Sequence, residues 1–294
     1  MVHSLLSSTK MKINIIGTGK LGMTMAYLFL KYPQYQLCGV LNRHLKTSIQ
    51  AIKKLGSGKA ISTYAELPVA DMTLIAAGDD QIASVSQMLH QHAPLQAGHI
   101  LWHSSGCLDS NILRHRKHPN IWVASLHPLR SFAHPKMVAK DFTGTFCALE
   151  GDEQALAILR QCFEKFGAKV FDMPSNKKAL YHTGCIFASN YLVALSYQAI
   201  ECLNHAGICY QDAKDSILNL METTVHNLKM SQHPKHALTG PIQRGDIKTI
   251  AAHIQAMDSK EQKALYSLLG LSALNLCDHE PNMTEEIRQI LSEK

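Results

Sequence analysis

The chain has 294 residues, of which 29 are Lys or Arg and 23 are Asp or Glu, so its formal net charge is +6 when the histidines are neutral. Hydrophobic residues make up 46% of the chain and charged residues 18%, a composition that fills a large core and excludes wholesale disorder. The eight cysteines include no CxxC pair, which indicates reduced residues rather than a disulfide framework. No long run of basic residues occurs, so nucleic acid is not an expected partner.

Charge and sequence pattern both divide the chain near Met173–Ser175. Residues 1–173 contain 18 basic and 11 acidic side chains, a net +7, whereas residues 174–294 contain 11 and 12, a net −1. Short apolar runs alternate with amphipathic stretches before Pro174, which is typical of a parallel sheet wrapped by helices, and only helical patterns follow. We therefore predict a flexible tail at residues 1–10, a doubly wound α/β domain at residues 11–173 and an all-α domain at residues 174–294.

The first domain is predicted to contain seven strands, at Lys12–Ile16, Gln36–Leu41, Met72–Ala77, His99–Trp102, Ile121–Ser125, Thr145–Glu150 and Ala168–Asp172. Its helices are expected to include Leu21–Lys31, Thr47–Leu55 and Glu153–Phe166. Five helices are expected in the second domain, at Lys178–His205, Tyr210–Lys229, Ile247–Met257, Glu261–Asp278 and Thr284–Ser292.

One long apolar stretch lies between His182 and Glu201 and contains no Asp, Glu, Lys or Arg. Because polar residues such as Ser196 and Gln198 interrupt it, we expect a buried helix rather than a membrane span. The first ten residues, MVHSLLSSTK, lack the features of a signal peptide. We therefore expect a cytoplasmic protein without a membrane partner, and Met11 is an alternative natural start to Met1.

A glycine-rich segment, Gly17-Thr18-Gly19-Lys20-Leu21-Gly22, follows the first predicted strand directly and begins the first predicted helix. In such a GxGxxG segment the first glycine permits a tight turn, the second lets the backbone approach a pyrophosphate, and the third lets the helix pack closely on the strand. Its position between a strand and a helix supports a dinucleotide site in a Rossmann-type domain. An ordinary glycine-rich turn is the alternative.

The residues after the second predicted strand indicate which dinucleotide binds. NAD sites usually carry an acidic residue there, but this chain has Asn42 and Arg43 and no carboxylate. An arginine can pair with a 2′-phosphate that a carboxylate would repel. We therefore expect NADP (NADPH) rather than NAD, with Asn42 and Arg43 in the cofactor site, unless Arg43 is merely solvated.

Polar residues follow three further predicted strands, at the carboxyl ends where open parallel sheets bind ligands. Asp79 follows the third strand and is expected near the cofactor, whereas Ser104 and Ser105 follow the fourth and are expected to orient a substrate. His127 follows the fifth strand and is the main acid–base candidate, with Arg130 as a receptor for a substrate carboxylate. The alternatives are helix capping by Asp79, turn formation by the serines and a structural role for His127.

The first helix of the second domain is predicted to have one polar face. Lys178, His182, Cys185 and Ser189 stand at positions i, i+4, i+7 and i+11, and Asn190 lies at the edge of the same face. We predict that this face borders the substrate: Lys178 and Asn190 would hold a carboxylate or carbonyl, His182 would assist proton transfer and Ser189 would bind substrate. The alternative is a helix interface with locally satisfied polar atoms.

Several segments, taken in order, are similar to one known family. They are Gly17–Gly22 and residues 103–106 (HSSG), 125–132 (SLHPLRSF), 149–152 (LEGD), 178–182 (KALYH), 188–192 (ASNYL) and 238–246 (LTGPIQRGD). Over nearly its whole length after Met11, the chain resembles Rossmann-like oxidoreductases whose C-terminal half is a helical domain of unknown function. The resemblance implies that fold and an oxidoreductase activity.

The layout is more distantly similar to prephenate dehydrogenases and pyrroline-5-carboxylate reductases. His127-Pro128 resembles the segment that contains the catalytic histidine of prephenate dehydrogenases, and Ser104 or Ser105 matches a serine that those enzymes use. Asn42-Arg43 resembles the pair that binds NADP in pyrroline-5-carboxylate reductases.

The β-hydroxyacid dehydrogenases have a similar layout, with a catalytic lysine four residues before an asparagine. Lys178 matches the lysine, but His182 stands where the asparagine is expected, which puts a lysine-based mechanism in doubt. Enzymes of this layout commonly dimerise through the helical domain, so the resemblance implies a homodimer.

Seventeen histidines raise the question of a metal site. His115 and His118, like His233 and His236, stand three residues apart in polar stretches without cysteine or carboxylate partners in the nearby sequence. The chain also has no HExxH motif and no Cys/His grid. We therefore expect no metal.

Together these residues predict an NADP-dependent oxidoreductase that transfers a hydride to or from a small carboxylate-bearing hydroxy, keto or imino substrate. Arg244 is a second candidate for the substrate carboxylate, or else an anchor for the loop Thr239–Asp246. The alternative function is a dinucleotide-binding sensor without hydride chemistry, which would need only the glycine segment and Arg43.

Overall fold

The computed structural model describes residues 10–292 of the chain. These residues form two compact units, of which the first ends at Ile186 and the second begins at Phe187. The first is an α/β unit and the second contains only helices, so the predicted fold class is confirmed. Except for Lys10, the predicted tail at residues 1–10 lies outside the described residues. Among residues 10–292, no helix combines the length and apolarity needed to cross a membrane.

The first unit consists of a mixed sheet and its helices. The strands are β1 (Met11–Ile16), β2 (Tyr35–Leu41), β3 (Lys59–Ile61), β4 (Met72–Ile75), β5 (Ile100–His103), β6 (Trp122–Pro128), β7 (Phe146–Gly151) and β8 (Lys169–Asp172). The helices are α1 (Lys20–Leu30), α2 (Leu45–Leu55), α3 (Asp79–His92), α4 (Pro135–Lys140), α5 (Glu153–Lys165) and α6 (Lys178–Ala188), the last of which extends two residues past Ile186. Strands thus end at Asp172, close to the predicted domain boundary, whereas the compact units divide within α6.

The sheet has the strand order β3-β2-β1-β4-β5-β6-β7-β8, so β1 and β4 meet where the chain reverses its direction across the sheet. Successive side chains of these central strands enter two apolar cores, one on each face. Ile13 and Ile15 of β1 pack with Phe29 in one core, whereas Ile16 lies in the other. Because both faces are covered, the central strands are nearly continuous apolar runs.

The predicted parallel sheet is confirmed except at β7, which pairs antiparallel with β6, so that Ser125 lies opposite Glu150. A parallel neighbour needs a crossover that carries the chain back along the sheet, usually on a full helix. The only helix between β6 and β7 is α4, whose six residues span about 9 Å. The chain therefore returns directly, and β8 pairs parallel to the reversed β7. The three-residue β3 was not predicted.

The second unit contains α7 (Asn190–His205), α8 (Tyr210–Met230), α9 (Pro241–Arg244), α10 (Ile247–Ala256), α11 (Lys260–Leu274) and α12 (Pro281–Ser292). Its residues up to Ser292 form two small cores. One includes Ile200 of α7 with Ala213 and Ile217 of α8, and the other joins α10, α11 and α12 through residues such as Ile250 and Ile287.

The single helix predicted over Lys178–His205 is wrong, because Ser189 separates α6 from α7 with φ −125° and ψ −75°. The Ser189 hydroxyl donates a hydrogen bond to the Asn190 side-chain oxygen. Short polar side chains of this kind compete with helical backbone bonding, which weakens a helix at such a pair. Ser189 therefore does not extend the helical face of Lys178 and His182.

Candidate functional site

The larger pocket of the first unit lies beyond the carboxyl ends of β1, β2 and β4 and has a volume of about 620 Å³. It is lined by the glycine segment, by the residues that follow β2, and by the first half of α3. This is the switch point at which open α/β sheets bind ligands. None of the described residues that line it is acidic. The pocket therefore suits an anion.

Two glycines of the segment are fixed by close contacts, and one is not. Gly17 has φ +91°, and a Cβ there would lie 2.6 Å from the Ala76 carbonyl oxygen. A Cβ on Gly22 would lie 2.0 Å from the Gly17 carbonyl oxygen, so the turn and α1 pack without room for a methyl group. A Cβ on Gly19 would meet no atom within 4 Å. The backbone at Gly19 thus borders open space, as close approach to a phosphate requires.

Of the remaining residues of the glycine segment, Lys20 is exposed and Leu21 lines a pocket. Lys20 begins α1, and its carbonyl oxygen accepts a hydrogen bond from the Thr24 hydroxyl, while its side chain is exposed. Leu21 lines a second, smaller pocket.

Asn42 and Arg43 both line the larger pocket, but the side chain of Asn42 is hydrogen-bonded and that of Arg43 is not. The Asn42 side-chain oxygen accepts hydrogen bonds of 2.8 and 3.0 Å from the backbone N–H and hydroxyl of Thr18, and its amide nitrogen bonds to Ser48. Asn42 therefore holds the glycine segment in place. Arg43 also lines the pocket and has no hydrogen bond or ion pair with any of residues 10–292. Its guanidinium is free to bind an anion.

The second pocket has a volume of about 210 Å³ and adjoins the first at Ala77. Ser104 and His182 line it. The Ser104 hydroxyl oxygen and the His182 Nδ1 are buried and have no hydrogen-bond partner among the described residues. Because buried polar atoms are normally paired, two unpaired ones in a single pocket indicate the position of a ligand.

His127 lies beside this pocket, next to Gly106 and His182. A Cβ on Gly106 would lie 2.4 Å from His182 Nδ1 and 3.0 Å from His127 Nε2, so only glycine lets both imidazoles approach. The two rings are perpendicular, with centroids 5.6 Å apart. His127 Nδ1 forms a 2.8 Å hydrogen bond with the hydroxyl of Tyr181. Sequence reasoning did not select Tyr181, although it lies in the KALYH segment.

Burial lowers the pKa of His127 to about 4, and the neighbouring charges of His182 and Lys178 lower it further, whereas Asp79 opposes the shift. His127 is therefore neutral near pH 7. Burial also raises the pKa of Tyr181, assisted by its hydrogen bond with Cys185, so the phenol keeps its proton. A neutral imidazole can accept a proton or share one with the phenol.

Lys178 does not line either pocket. Its side chain is 2% exposed, and its Nζ donates to the Ser105 carbonyl oxygen at 2.8 Å and to the Ser125 hydroxyl. It also lies 3.6 Å from Glu150, a carboxylate that accepts hydrogen bonds from Ser110. Burial lowers the Lys178 pKa, and Glu150 opposes that shift. The predicted role of Lys178 in the substrate cleft is replaced by one in positioning the Ser104–Gly106 turn.

Ser105 and Asp79 bond to each other. The Ser105 hydroxyl donates to an Asp79 oxygen at 2.9 Å and accepts from the backbone N–H groups of Cys107 and Leu108. Ser105 is thus the turn-forming residue of the alternative interpretation. Asp79 lines the second pocket from the first turn of α3, whose N-cap is Gly78. Asp79 is therefore not the N-cap residue.

The predicted carboxylate receptors are both engaged within their own units. Arg130 forms a 2.6 Å ion pair with Asp141 and lines neither pocket, so its role as a carboxylate receptor stays a prediction. Arg244 forms a 2.6 Å ion pair with Asp246, as expected for the loop anchor of the alternative interpretation. Ser189 and Asn190 belong to the second unit.

Comparison with known domains matches both parts of the chain. Residues 2–128 match the Rossmann-like domain, and residues 145–273 match a domain of unknown function, DUF2520. The chain joins these two domains. The resemblance predicted from the sequence is thereby confirmed. No curated protein matches the chain.

Solved structures share the fold. Protein TM1727 from Thermotoga maritima is 26% identical, with a TM-score of 0.71, and the match covers 90% of this chain and 98% of that one. A Bacteroides fragilis protein provisionally described as an NADP oxidoreductase is 21% identical over the same shares, with a TM-score of 0.73. A Plasmodium falciparum pyrroline carboxylate reductase with NADP bound is 13% identical, with a TM-score of 0.61 over 96% of this chain and 98% of that one.

The contacts of Gly22 and Gly19 predict that substitution by alanine lowers stability at the first position and ligand binding at the second. Gly22→Ala should lower the free energy of unfolding by about 1–3 kcal/mol, because the added methyl overlaps the Gly17 carbonyl. Gly19→Ala should lower it by at most about 1 kcal/mol, the cost of an alanine at the N-cap of α1, but should weaken binding of a nicotinamide dinucleotide at least about tenfold, because its methyl enters open pocket space. Urea unfolding and fluorescence titration measure the two quantities. Equal stability of the two variants would contradict the packing argument.

Because His103 is buried, we expect the free energy of unfolding of the protein to decrease in acid. His103 is fully buried, and burial lowers its pKa from 6.5 to about 4. Between these values the unfolded chain binds a proton that the folded chain does not, so stability falls as pH decreases through this range. From pH 7 to pH 5 this residue should remove about 2 kcal/mol from the free energy of unfolding.

The measurement is urea unfolding of the wild type and of His103→Asn at pH 7 and at pH 5. Between these pH values the free energy of unfolding should fall by about 2 kcal/mol less in His103→Asn than in the wild type. His226→Asn on the exposed surface of α8 controls for the loss of any one histidine. An identical pH dependence in the wild type and His103→Asn would refute the assignment.

Proposed function

We propose that this protein is an NADP-dependent oxidoreductase that transfers a hydride to or from a small hydroxy, keto or imino compound carrying a carboxylate. One observation carries the proposal: Ser104 Oγ and His182 Nδ1 are buried without partners in the pocket that adjoins the glycine segment. Leaving such atoms unpaired costs about 1–3 kcal/mol each, and a substrate hydroxyl, carbonyl or imine would satisfy them.

The larger pocket fits the proposed cofactor. The backbone of Gly19 borders open space, Arg43 is an unpaired cation, and none of the described lining residues is acidic. Gly19 would lie against the pyrophosphate and Arg43 would hold the 2′-phosphate. When bound, the nicotinamide supplies or accepts the hydride.

The residues beside the second pocket supply the proton chemistry of the proposal. Ser104 would donate a hydrogen bond to the reacting oxygen or nitrogen, and His182 would exchange a proton with it at Nδ1. His127 would take part from its position next to His182 and Gly106, where Tyr181 fixes its orientation. Because the charge of His182 lowers the pKa of His127, the two imidazoles resist being positively charged together.

A sensor that binds dinucleotide without chemistry is the second candidate. It needs the glycine segment and Arg43, but it has no use for two unpaired polar atoms and a perturbed histidine in an adjoining pocket. The geometry therefore favours the enzyme.

The free guanidinium of Arg43 predicts that the protein binds NADPH more tightly than NADH. Arg43→Gln should weaken NADPH binding at least about tenfold, because a charged hydrogen bond contributes about 1.5–3 kcal/mol, and should change NADH binding little. Lys53→Gln removes an exposed cation from the far end of α2 and is the matched control. Calorimetric titration with both nucleotides measures this. A wild-type preference for NADH, or unchanged NADPH affinity in Arg43→Gln, would refute the assignment.

The second pocket predicts which variants lose turnover. Purified protein should oxidise NADPH with at least one keto or imino acid of a panel, or reduce NADP+ with at least one hydroxy acid. Each panel member is paired with an analogue that lacks the carboxylate. His182→Ala and His127→Ala should each lower kcat about 10²–10⁴-fold because proton transfer is lost, and Ser104→Ala should lower kcat/KM. NADPH affinity should be unchanged.

The control is His226→Ala, which removes an exposed histidine of α8 and should retain full turnover. Tight NADPH binding without turnover of any panel member would favour the sensor. Full turnover in both His127→Ala and His182→Ala would eliminate the proton-transfer roles.

A further inference from the structure

Three histidines of the first unit meet away from both pockets. His90 lies in the last turn of α3, and His115 and His118 lie in the segment between Leu113 and β6. One ring nitrogen from each lies within 4.8 Å of the other two. His90 stands eleven residues after Asp79, the α3 residue that lines the second pocket, so the two sites are about 16 Å apart along this helix.

We propose that His90, His115 and His118 form a binding site for a divalent transition metal of the zinc class. Neutral imidazole nitrogens are preferred ligands of Zn²⁺, Cu²⁺ and Ni²⁺ and poor ligands of Mg²⁺. Three protein nitrogens on a tetrahedral ion leave the fourth position to water. Within residues 10–292, no carboxylate or thiolate joins the cluster.

The orientation of His90 supports the site. Its Nε2 forms a 2.9 Å hydrogen bond with the Leu113 carbonyl oxygen, which also accepts a hydrogen bond from Ser86, one turn earlier on α3. Because that oxygen can only accept, the proton of neutral His90 resides on Nε2, and Nδ1 carries the lone pair. A backbone carbonyl behind the ring is the usual partner of a metal-binding histidine, since it fixes both the tautomer and the ring position. His90 itself is 6% exposed.

The distance between the ring nitrogens of His90 and His118 is also close to that in a tetrahedral zinc site. His90 Nδ1 lies 3.0 Å from His118 Nδ1, and two nitrogens bound to a tetrahedral zinc at about 2.0–2.1 Å lie roughly 3.3 Å apart. Without metal, His118 donates its Nδ1 proton to His90, and a metal would take the place of that proton. The ring centroids are 5.0, 5.2 and 6.0 Å apart, and the rings of His115 and His118 are each inclined by 21° to the ring of His90.

The loop that carries His115 and His118 is a turn closed by a 3.0 Å hydrogen bond from His118 N–H to the His115 carbonyl oxygen. His115 Nδ1 accepts a 3.3 Å hydrogen bond from Lys117 N–H, which is long and weak, so a metal bond to this ring can replace it. A cavity of about 330 Å³ borders all three histidines and gives a metal access from solvent. Two arginines also line this cavity: Arg114 forms a 2.6 Å ion pair with Asp152, whereas Arg116 has no ion pair with any of residues 10–292.

The test uses full-length protein without an affinity tag, titrated with ZnCl₂ in a calorimeter and with CoCl₂ by visible absorption. The wild type should bind one equivalent of each metal, Co²⁺ should show the intense bands of a tetrahedral site, and MgCl₂ should give no signal. His118→Ala, in which a partly exposed ring is lost, and His90→Gln should each weaken zinc binding at least about tenfold. Zinc should raise the unfolding temperature of the wild type but not of these variants.

The matched control is His233→Ala/His236→Ala, which removes the pair on the second unit whose ring centroids are 6.4 Å apart. This variant should bind zinc like the wild type. Wild-type zinc affinity in His118→Ala, loss of binding in the control, or no bound equivalent in the wild type would each overturn the site. NADPH binding and turnover are independent readouts, so the outcome does not depend on the proposed function.

Discussion

The buried ammonium of Lys178 bonds to the Ser105 carbonyl oxygen and to Ser125 of β6, and lies 3.6 Å from Glu150 of β7. It thereby joins the turn that carries Ser104 to two strands and to the first helix after the sheet. Removing one partner of a buried pair leaves a charge without compensation, which costs about 3–5 kcal/mol. Both the second pocket and the approach of His182 to Gly106 depend on the turn that this contact fixes.

The adjoining pockets differ in what they offer a ligand. The larger one presents backbone and one unpaired guanidinium, so it selects by charge and by close approach. The smaller one presents an unpaired hydroxyl and an imidazole next to a neutral histidine, so it selects by hydrogen bonding and proton affinity. The net charge of +6 for the whole chain describes neither pocket, because among residues 10–292 the larger pocket has Arg43 as its one unpaired guanidinium.

Local signals in the sequence predicted the features that depend on neighbouring residues. The glycine spacing placed the turn before α1, and apolar runs placed seven of the eight strands to within a few residues. Features set by distant contacts were missed. The direction of β7 depends on the short α4, the burial of Lys178 depends on Glu150 across the sheet, and Tyr181 became relevant only when His127 was placed beside it. His115 and His118 were visible as a pair, but their third member, His90, is 25 residues earlier on another element.

The two ends of helix α3 carry opposite partial charges. Aligned peptide dipoles place partial positive charge at the first turn, where Asp79 and Asp80 lie, and partial negative charge at the last turn, which contains His90 and His92. A cation held by His90 would therefore sit at the end that attracts it, while the carboxylate bonded to Ser105 sits at the opposite end. One rigid helix of fourteen residues thus spans both sites, and its backbone field favours the charge placed at each.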